Sequence, residues 1–275
     1  MKVVILAGGL GTRISEESHL KPKPMIAIGD QPILWHIMKY YSMFGFEDFI
    51  ICCGYKGYII KEYFADYYLH RSDVTFDFSA ENQMIVHSNV AEPWRVTLVD
   101  TGLNTQTGGR IKRVEKYIGD EAFCLTYGDG VSNVDLNALL EQHRRSDKAV
   151  TLTGVQPGSR FGVLDVSEDS DTITGFREKA TEDGGWVNGG FMVMEPEIFR
   201  YLSADESCVL ELTALETLAR DGKLGIYRHE RFWQCMDTQR DKYYLEKLWD
   251  DIISLSKALT RQKMLLKRQL REEFR

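Results

Sequence analysis

The chain has 275 residues, 43% apolar and 27% charged, enough apolar material for one large or two small cored domains, which excludes a disordered main body. A net charge of -7 excludes a broad basic face that grips nucleic acid, although small anions can be held where Lys and Arg concentrate. Five cysteines, with Cys52 and Cys53 adjacent and no pair at metal or redox spacing, point to reduced thiols; with no membrane-length apolar run and no signal pattern, a cytoplasmic protein is expected.

Residues 2–7 form a short β-branched run that opens into Gly8-Gly9-Leu10-Gly11, which predicts a buried strand feeding a glycine-rich turn. Over 30–44, Pro32 and the helical spacing of Ile33, Ile37, Met38, Tyr41 and Phe44 predict a helix with one buried face. Asp48 to Cys53 reads as a second buried strand and Ile59 to Tyr68 as a second helix. Strand alternating with helix predicts an α/β fold: a Rossmann-like, mostly parallel mixed sheet flanked by helices. Alternation over 74–78 and 84–87, with 96–99 returning a third strand, predicts an antiparallel side hairpin.

Ala122 to Thr126 is a further core strand ending at Tyr127-Gly128-Asp129-Gly130, and Leu136 to Arg145 a further helix. Beyond residue 149, short strands over 149–155, 163–166, 171–177 and 187–194 outnumber helices. The organisation expected is therefore a 1–150 half, a small β-rich 151–240 half sharing one cleft with it, and a long C-terminal helix over 241–275. That last segment lacks Gly and Pro and carries Leu245, Leu248, Ile252, Leu255 and Leu259 at heptad-like spacing. It packs on the body or on another subunit, or its basic end touches a membrane surface.

Two motifs carry chemistry. In Leu6-Ala7-Gly8-Gly9-Leu10-Gly11-Thr12-Arg13 a strand opens into a loop without side-chain bulk, whose amides can approach phosphate oxygens, and Arg13 adds a forked donor. The spacing is neither that of a dinucleotide fingerprint nor that of a P-loop, so a nicotinamide-dependent dehydrogenase does not fit. Ten residues on, Lys21-Pro22-Lys23-Pro24-Met25 reads as an extended strip bearing cations, suited to a reacting phosphate.

Together these two motifs resemble the amino-terminal signature of the sugar-phosphate nucleotidyltransferases, and the run from Trp35 to Phe64 is similar to their cytidylyltransferase branch; the resemblance covers about residues 1–250. It implies a nucleotide site of Leu6, Ala7, Gly8, Gly9, Gly11, Thr12, Arg13, Lys23, Thr105, Arg110 and Gly128, with Arg13 and Lys23 catalytic. It further implies Mg²⁺ held by Asp129 and Asp237, consistent with the preference of this ion for hard oxygen ligands. Gly162, Glu178, Lys179 and Asn188 match the sugar-phosphate pocket, where the last three can bond hydroxyls or phosphate. The substrates implied are CTP and a sugar 1-phosphate, and the assembly a homo-oligomer. Three departures leave the sugar open: Ala180 where the branch has Pro, Leu210 to Leu215 in place of a Trp-Glu-x-x-Pro-Leu-like stretch, and Cys235 where Pro is expected.

The reaction implied is in-line attack by a sugar-phosphate oxygen on the α-phosphorus, with pyrophosphate leaving. No general base is needed, because a phosphate monoester with a second pKa of about 6 is already ionised near neutrality. Other triphosphates or acceptors, and a non-catalytic regulatory paralogue, are the competing readings.

Overall fold

The structure, a computed structural model, describes residues 1–79, 82–156, 163–166, 172–177 and 185–254. Among them a nine-stranded sheet forms the centre, running in the order Ile173–Arg177, Val163–Val166, Trp186–Met194, Phe123–Tyr127, Val3–Leu6, Asp48–Cys53, Arg95–Asp100. The strands Val150–Val155 and Leu224–Arg228 extend it from Trp186–Met194. Val3–Leu6 pairs in parallel with both neighbours, whereas Trp186–Met194 pairs antiparallel with Phe123–Tyr127. The α/β architecture is that expected from the strand–helix alternation, and strands on both sides of residue 150 share the sheet.

A strand buried on both faces must be apolar at every position, which is why Val3–Leu6 reads as a continuous run rather than an alternating one. Val4 and Leu6 feed a core with Leu125, Leu152 and Leu218, while Val3 and Ile5 feed the opposite core with Ile37, Tyr41 and Phe49. The helix Ile33–Ser42 buries Ile33, Leu34, Ile37, Met38 and Tyr41 against that second core, as the periodicity predicts. The next helical segment, expected over 59–68, is Gly57–Ala65 followed by a separate turn Tyr67–His70.

One strand lies elsewhere than expected. Ser72–Asp77 and Gln83–Asn89 pair as the side hairpin, but Arg95–Asp100 joins the main sheet as an edge strand parallel to Asp48–Cys53, with Phe49 beside Val96. Its short apolar run is partly buried on both faces, Val96 and Leu98 against one core and Val99 against the other, and such a run does not say whether the partner is local or distant.

Helix Leu136–Arg145 is capped by Asp135, whose carboxylate accepts from the amide of Ala138 at 3.0 Å, and ends in Arg144 and Arg145, favourable charges for a helix C-terminus. His143 is buried, with Nδ1 2.8 Å from Thr151 Oγ1 and Nε2 3.2 Å from Glu195. Burial holds its pKa below the usual imidazole value, with Glu195 partly offsetting and Arg144 reinforcing that effect. The unfolded chain therefore binds the extra proton first as pH falls, and this residue's contribution to stability declines below about pH 6.5. The expected result is a melting temperature that drops from pH 7.5 to pH 5.5, with a shallower slope in His143→Asn; equal slopes would show that another group sets the dependence.

The described part of the carboxyl-terminal helix covers 239–254, and the remainder of the 241–275 segment lies outside the described residues. Its Leu245 is buried in the second core, and Trp249 crosses His36 edge-on at 4.8 Å. Trp249 also covers Gly29, where φ is +64° and an added Cβ would meet the indole nitrogen at 2.1 Å. Among the described residues no helix is long and apolar enough to cross a membrane.

Candidate active site

The parallel strands Val3–Leu6, Asp48–Cys53 and Arg95–Asp100 all end at one rim of the sheet, the edge at which α/β folds gather ligands. Phe123–Tyr127 ends there too and runs into Gly128-Asp129. A short antiparallel ladder then brings a distant segment alongside: Gly130–Ser132 pairs with Trp233–Cys235, setting Cys235 opposite Gly130. The amide of Met236 donates to the carbonyl of Asp129 at 2.9 Å, so Asp129 and Asp237 emerge side by side although 108 positions separate them in the chain.

Asp237 is fixed from its other side by the start of the carboxyl-terminal helix. Asp241 accepts from the amides of Asp237 and Thr238 at 3.2 and 2.8 Å, and its own amide donates to Thr238 Oγ1 at 3.3 Å. This reciprocal pattern is a capping box with Thr238 at the cap. Thr-x-x-Asp is legible in the sequence as a helix start immediately after Asp237.

Between the aspartates lies Lys23. Its Nζ donates to Asp129 Oδ2 at 2.5 Å and to Asp237 Oδ1 at 2.6 Å, and Arg13 Nη1 donates to Asp237 Oδ2 at 3.2 Å. Burial opposes charge on Lys23, but the two carboxylates outweigh it and raise the ammonium pKa above the usual lysine range. Burial likewise opposes ionisation of Asp237, yet Lys23 and Arg13 hold its pKa below the usual carboxylate value. Lys23 stands in a single 3₁₀ turn, Lys23–Met25, after an extended Pro22, so the strip expected to be extended throughout is bent at this lysine. The bend carries the lysine inward, leaving 12% of its side chain exposed.

Two adjoining cavities meet at this cluster. The first, of about 360 Å³, is lined by all eleven residues expected at the nucleotide: Leu6, Ala7, Gly8, Gly9, Gly11, Thr12, Arg13, Lys23, Thr105, Arg110 and Gly128. The second, of about 510 Å³, includes Asn188, Gly189, Gly190, Glu211 and Trp233. Arg13, Thr107, Tyr127, Asp129 and Asp237 line both, so the aspartates stand at the boundary between the two spaces. Of the four residues expected at the sugar phosphate, Asn188 lines the second cavity, while Gly162, Glu178 and Lys179 lie outside the described residues.

Arg110 lines the first cavity and is also tied into the backbone around it. It is only 4% exposed, and its guanidinium donates to the carbonyls of Gly8, Cys53, Gly102 and Leu103 and to Thr101 Oγ1. An added Cβ on Gly8 would meet Nη1 at 2.1 Å and one on Gly54 at 2.5 Å, so these glycines make room for the arginine. Gly9, by contrast, faces open space, and Gly11 takes φ +65°, the left-handed conformation that favours glycine. Thr105 is also committed, accepting from Arg113 at 2.8 Å.

Glu211 also lines the second cavity, although no sequence motif points to it. It accepts from Thr107 Oγ1 at 2.7 Å and from the Tyr127 hydroxyl, which in turn accepts from Asn188 Nδ2 at 3.2 Å. Burial, reinforced by Glu211, pushes the Tyr127 phenol well above its usual range, keeping it a donor. A π-helical turn, Leu210–Leu215, aims this carboxylate into the cavity; such turns are rare and concentrate at functional sites, and no simple residue pattern announces them.

The donor set suits a hard divalent cation. Two carboxylates converge closely enough to share one nitrogen, and among the described residues no cluster of three or more His, Cys, Asp or Glu could hold an ion unaided. A two-carboxylate site completed by phosphate oxygens and water is how Mg²⁺ is usually held beside nucleotides.

The Nucleotidyl transferase family model matches residues 2–265. The chain belongs to that family. It is 55% identical over 251 residues to the glucose-1-phosphate cytidylyltransferase of Salmonella typhi, covering 91% of this chain and 96% of the relative. A probable glucose-1-phosphate cytidylyltransferase of Bacillus subtilis is 46% identical with the same coverage. Among solved structures, HddC from Yersinia pseudotuberculosis complexed with GMP-PN superposes with a TM-score of 0.70 at 25% identity, covering 90% of this chain and 99% of that one.

Proposed function

We propose that this nucleotidyltransferase transfers a cytidylyl group from CTP to glucose 1-phosphate, forming CDP-glucose and pyrophosphate with Mg²⁺ as the cofactor. The observation that carries the reaction is the meeting of Lys23, Arg13, Asp129 and Asp237 at the junction of two cavities, one behind the glycine loop and one beside Asn188. The choice of base and sugar is carried by the 55% and 46% identity to the two cytidylyltransferases.

The residues divide the work between positioning and charge. Gly9 and Gly11 line the first cavity without side-chain bulk, which suits backbone amides to a triphosphate. A sugar 1-phosphate in the second cavity meets Asn188 and the Glu211 carboxylate, and its phosphate then faces the nucleotide across the shared wall. Its oxygen attacks the α-phosphorus in line, the bond to the bridging oxygen breaks, and pyrophosphate leaves with that electron pair. Lys23 and Arg13 are the cations placed to offset the charge that develops. Asp129 and Asp237 would hold Mg²⁺, which supplies further charge neutralisation of the phosphates. Among the described residues no histidine lines either cavity, in keeping with a nucleophile that arrives ionised.

A matrix of CTP, UTP, dTTP and GTP against several hexose 1-phosphates, scored by pyrophosphate release, tests the assignment. CTP with glucose 1-phosphate is expected to give the highest kcat/KM. A higher value for another triphosphate would overturn the base, a higher value for another sugar the acceptor, and nucleotide binding without turnover on any sugar would favour a regulatory paralogue.

A further inference from the structure

Lys23 lies where a shared divalent ion would have to be. The two oxygens that face each other across the site, Asp129 Oδ2 and Asp237 Oδ1, both accept from its single ammonium, and the remaining oxygen of Asp237 accepts from Arg13. Two carboxylates thus meet two cations, and apart from Asp241, whose carboxylate is turned to the Asp237 and Thr238 amides, each acid of the cluster is paired before any ion arrives. An incoming divalent ion gains less from carboxylates already paired with cations, and it cannot bridge Asp129 Oδ2 and Asp237 Oδ1 while a nitrogen stands 2.5 and 2.6 Å from them.

We infer that Lys23 is a built-in counter-cation for the aspartate pair, so that the nucleotide-free protein binds divalent ions weakly and the ion enters with or after the triphosphate, once phosphate draws the lysine away. The inference rests on the assignment of Asp129 and Asp237 as metal ligands. The geometry allows the exchange: Lys23 also lines the nucleotide cavity beside Gly11 and Thr12, so a phosphate there gives the ammonium a second anionic partner. The lysine then has two tasks in sequence, holding two like charges together in the resting site and meeting the reacting phosphate in the loaded one. The arrangement also imposes an order of binding that protects the carboxylates from capturing an ion with no substrate present.

The test uses the full-length protein without nucleotide and Mn²⁺ as the probe, with free ion read by its paramagnetic resonance signal. Lys23→Met, which keeps length and removes charge, is expected to bind Mn²⁺ at least about tenfold more tightly than the wild type, whereas Lys23→Arg, which keeps the charge, stays weak. A parallel melting series covers the case in which Lys23→Met folds poorly: added Mg²⁺ should raise its melting temperature and leave the wild type almost unmoved. Equal Mn²⁺ affinity in Lys23→Met and wild type, with no Mg²⁺ effect on melting, overturns the exchange alone. Unchanged Mn²⁺ binding when Asp129→Asn is added to Lys23→Met overturns the ligand assignment as well.

Discussion

Asp237→Asn is expected to lower the rate of pyrophosphate release by roughly 10²–10³-fold, because the carboxamide keeps the shape of the carboxylate while removing a charge worth several kcal/mol at a phosphoryl-transfer site. The same change costs little stability. Lys23 keeps its 2.5 Å bond to Asp129, Arg13 is largely exposed, and the capping box at Thr238 is untouched, so the loss is about 1 kcal/mol and the melting temperature moves by a few degrees. Asp129→Asn should behave alike, and Lys23→Ala should lose turnover on a similar scale. Turnover is measured with both substrates saturating so that a binding defect does not pass for a chemical one. Near-normal rates in variants that melt like the wild type would remove the aspartate pair from the reaction.

The place of Asp129 is legible in the chain, since Tyr127-Gly128-Asp129-Gly130 follows an apolar core strand, whereas Asp237 follows from the family resemblance alone, because the Trp233–Cys235 strand before it is short, antiparallel and not an apolar run. Parallel strands buried on both faces leave a continuous apolar signal, and the residue that ends such a run lies at the rim where ligands collect. What the chain does not display is partnership. The edge position of Arg95–Asp100 depends on pairing with Asp48–Cys53 across an intervening helix and hairpin, and a short apolar run reads the same for a local and a distant partner. Glu211 depends on a π-helical turn, which a pattern of apolar spacing does not resolve. The bend at Lys23 depends on which way one residue between two prolines turns, and their fixed φ values leave both an extended strip and a 3₁₀ turn open.

Arg110 is the sharpest case, because the family resemblance implies only that it faces the nucleotide, whereas its five acceptors come from chain segments that only the sheet brings together. Arg110→Met is expected to destabilise the fold by about 2–4 kcal/mol, as buried acceptors left without donors cost about 1–3 kcal/mol each. The lower end of that range follows from redundancy. The carbonyl of Gly8 also accepts from the amide of Tyr55 at 3.1 Å, and that of Cys53 from Thr101 at 2.7 and 2.9 Å, so the groups bonded mainly through the arginine are Gly102 and Leu103, where the chain is partly solvated. Nucleotide affinity should weaken in step, because Gly8 loses the strut that fixes the loop, while turnover at saturating CTP changes less than in Asp237→Asn. Arg110→Lys, with one nitrogen in place of a fork, should recover only part of the stability. Urea unfolding together with KM for CTP separates the two roles: a large rise in KM with unchanged unfolding would make Arg110 a direct phosphate ligand, and a loss of stability in proportion to the rise in KM would make it the brace between the glycine loop and the strand ends.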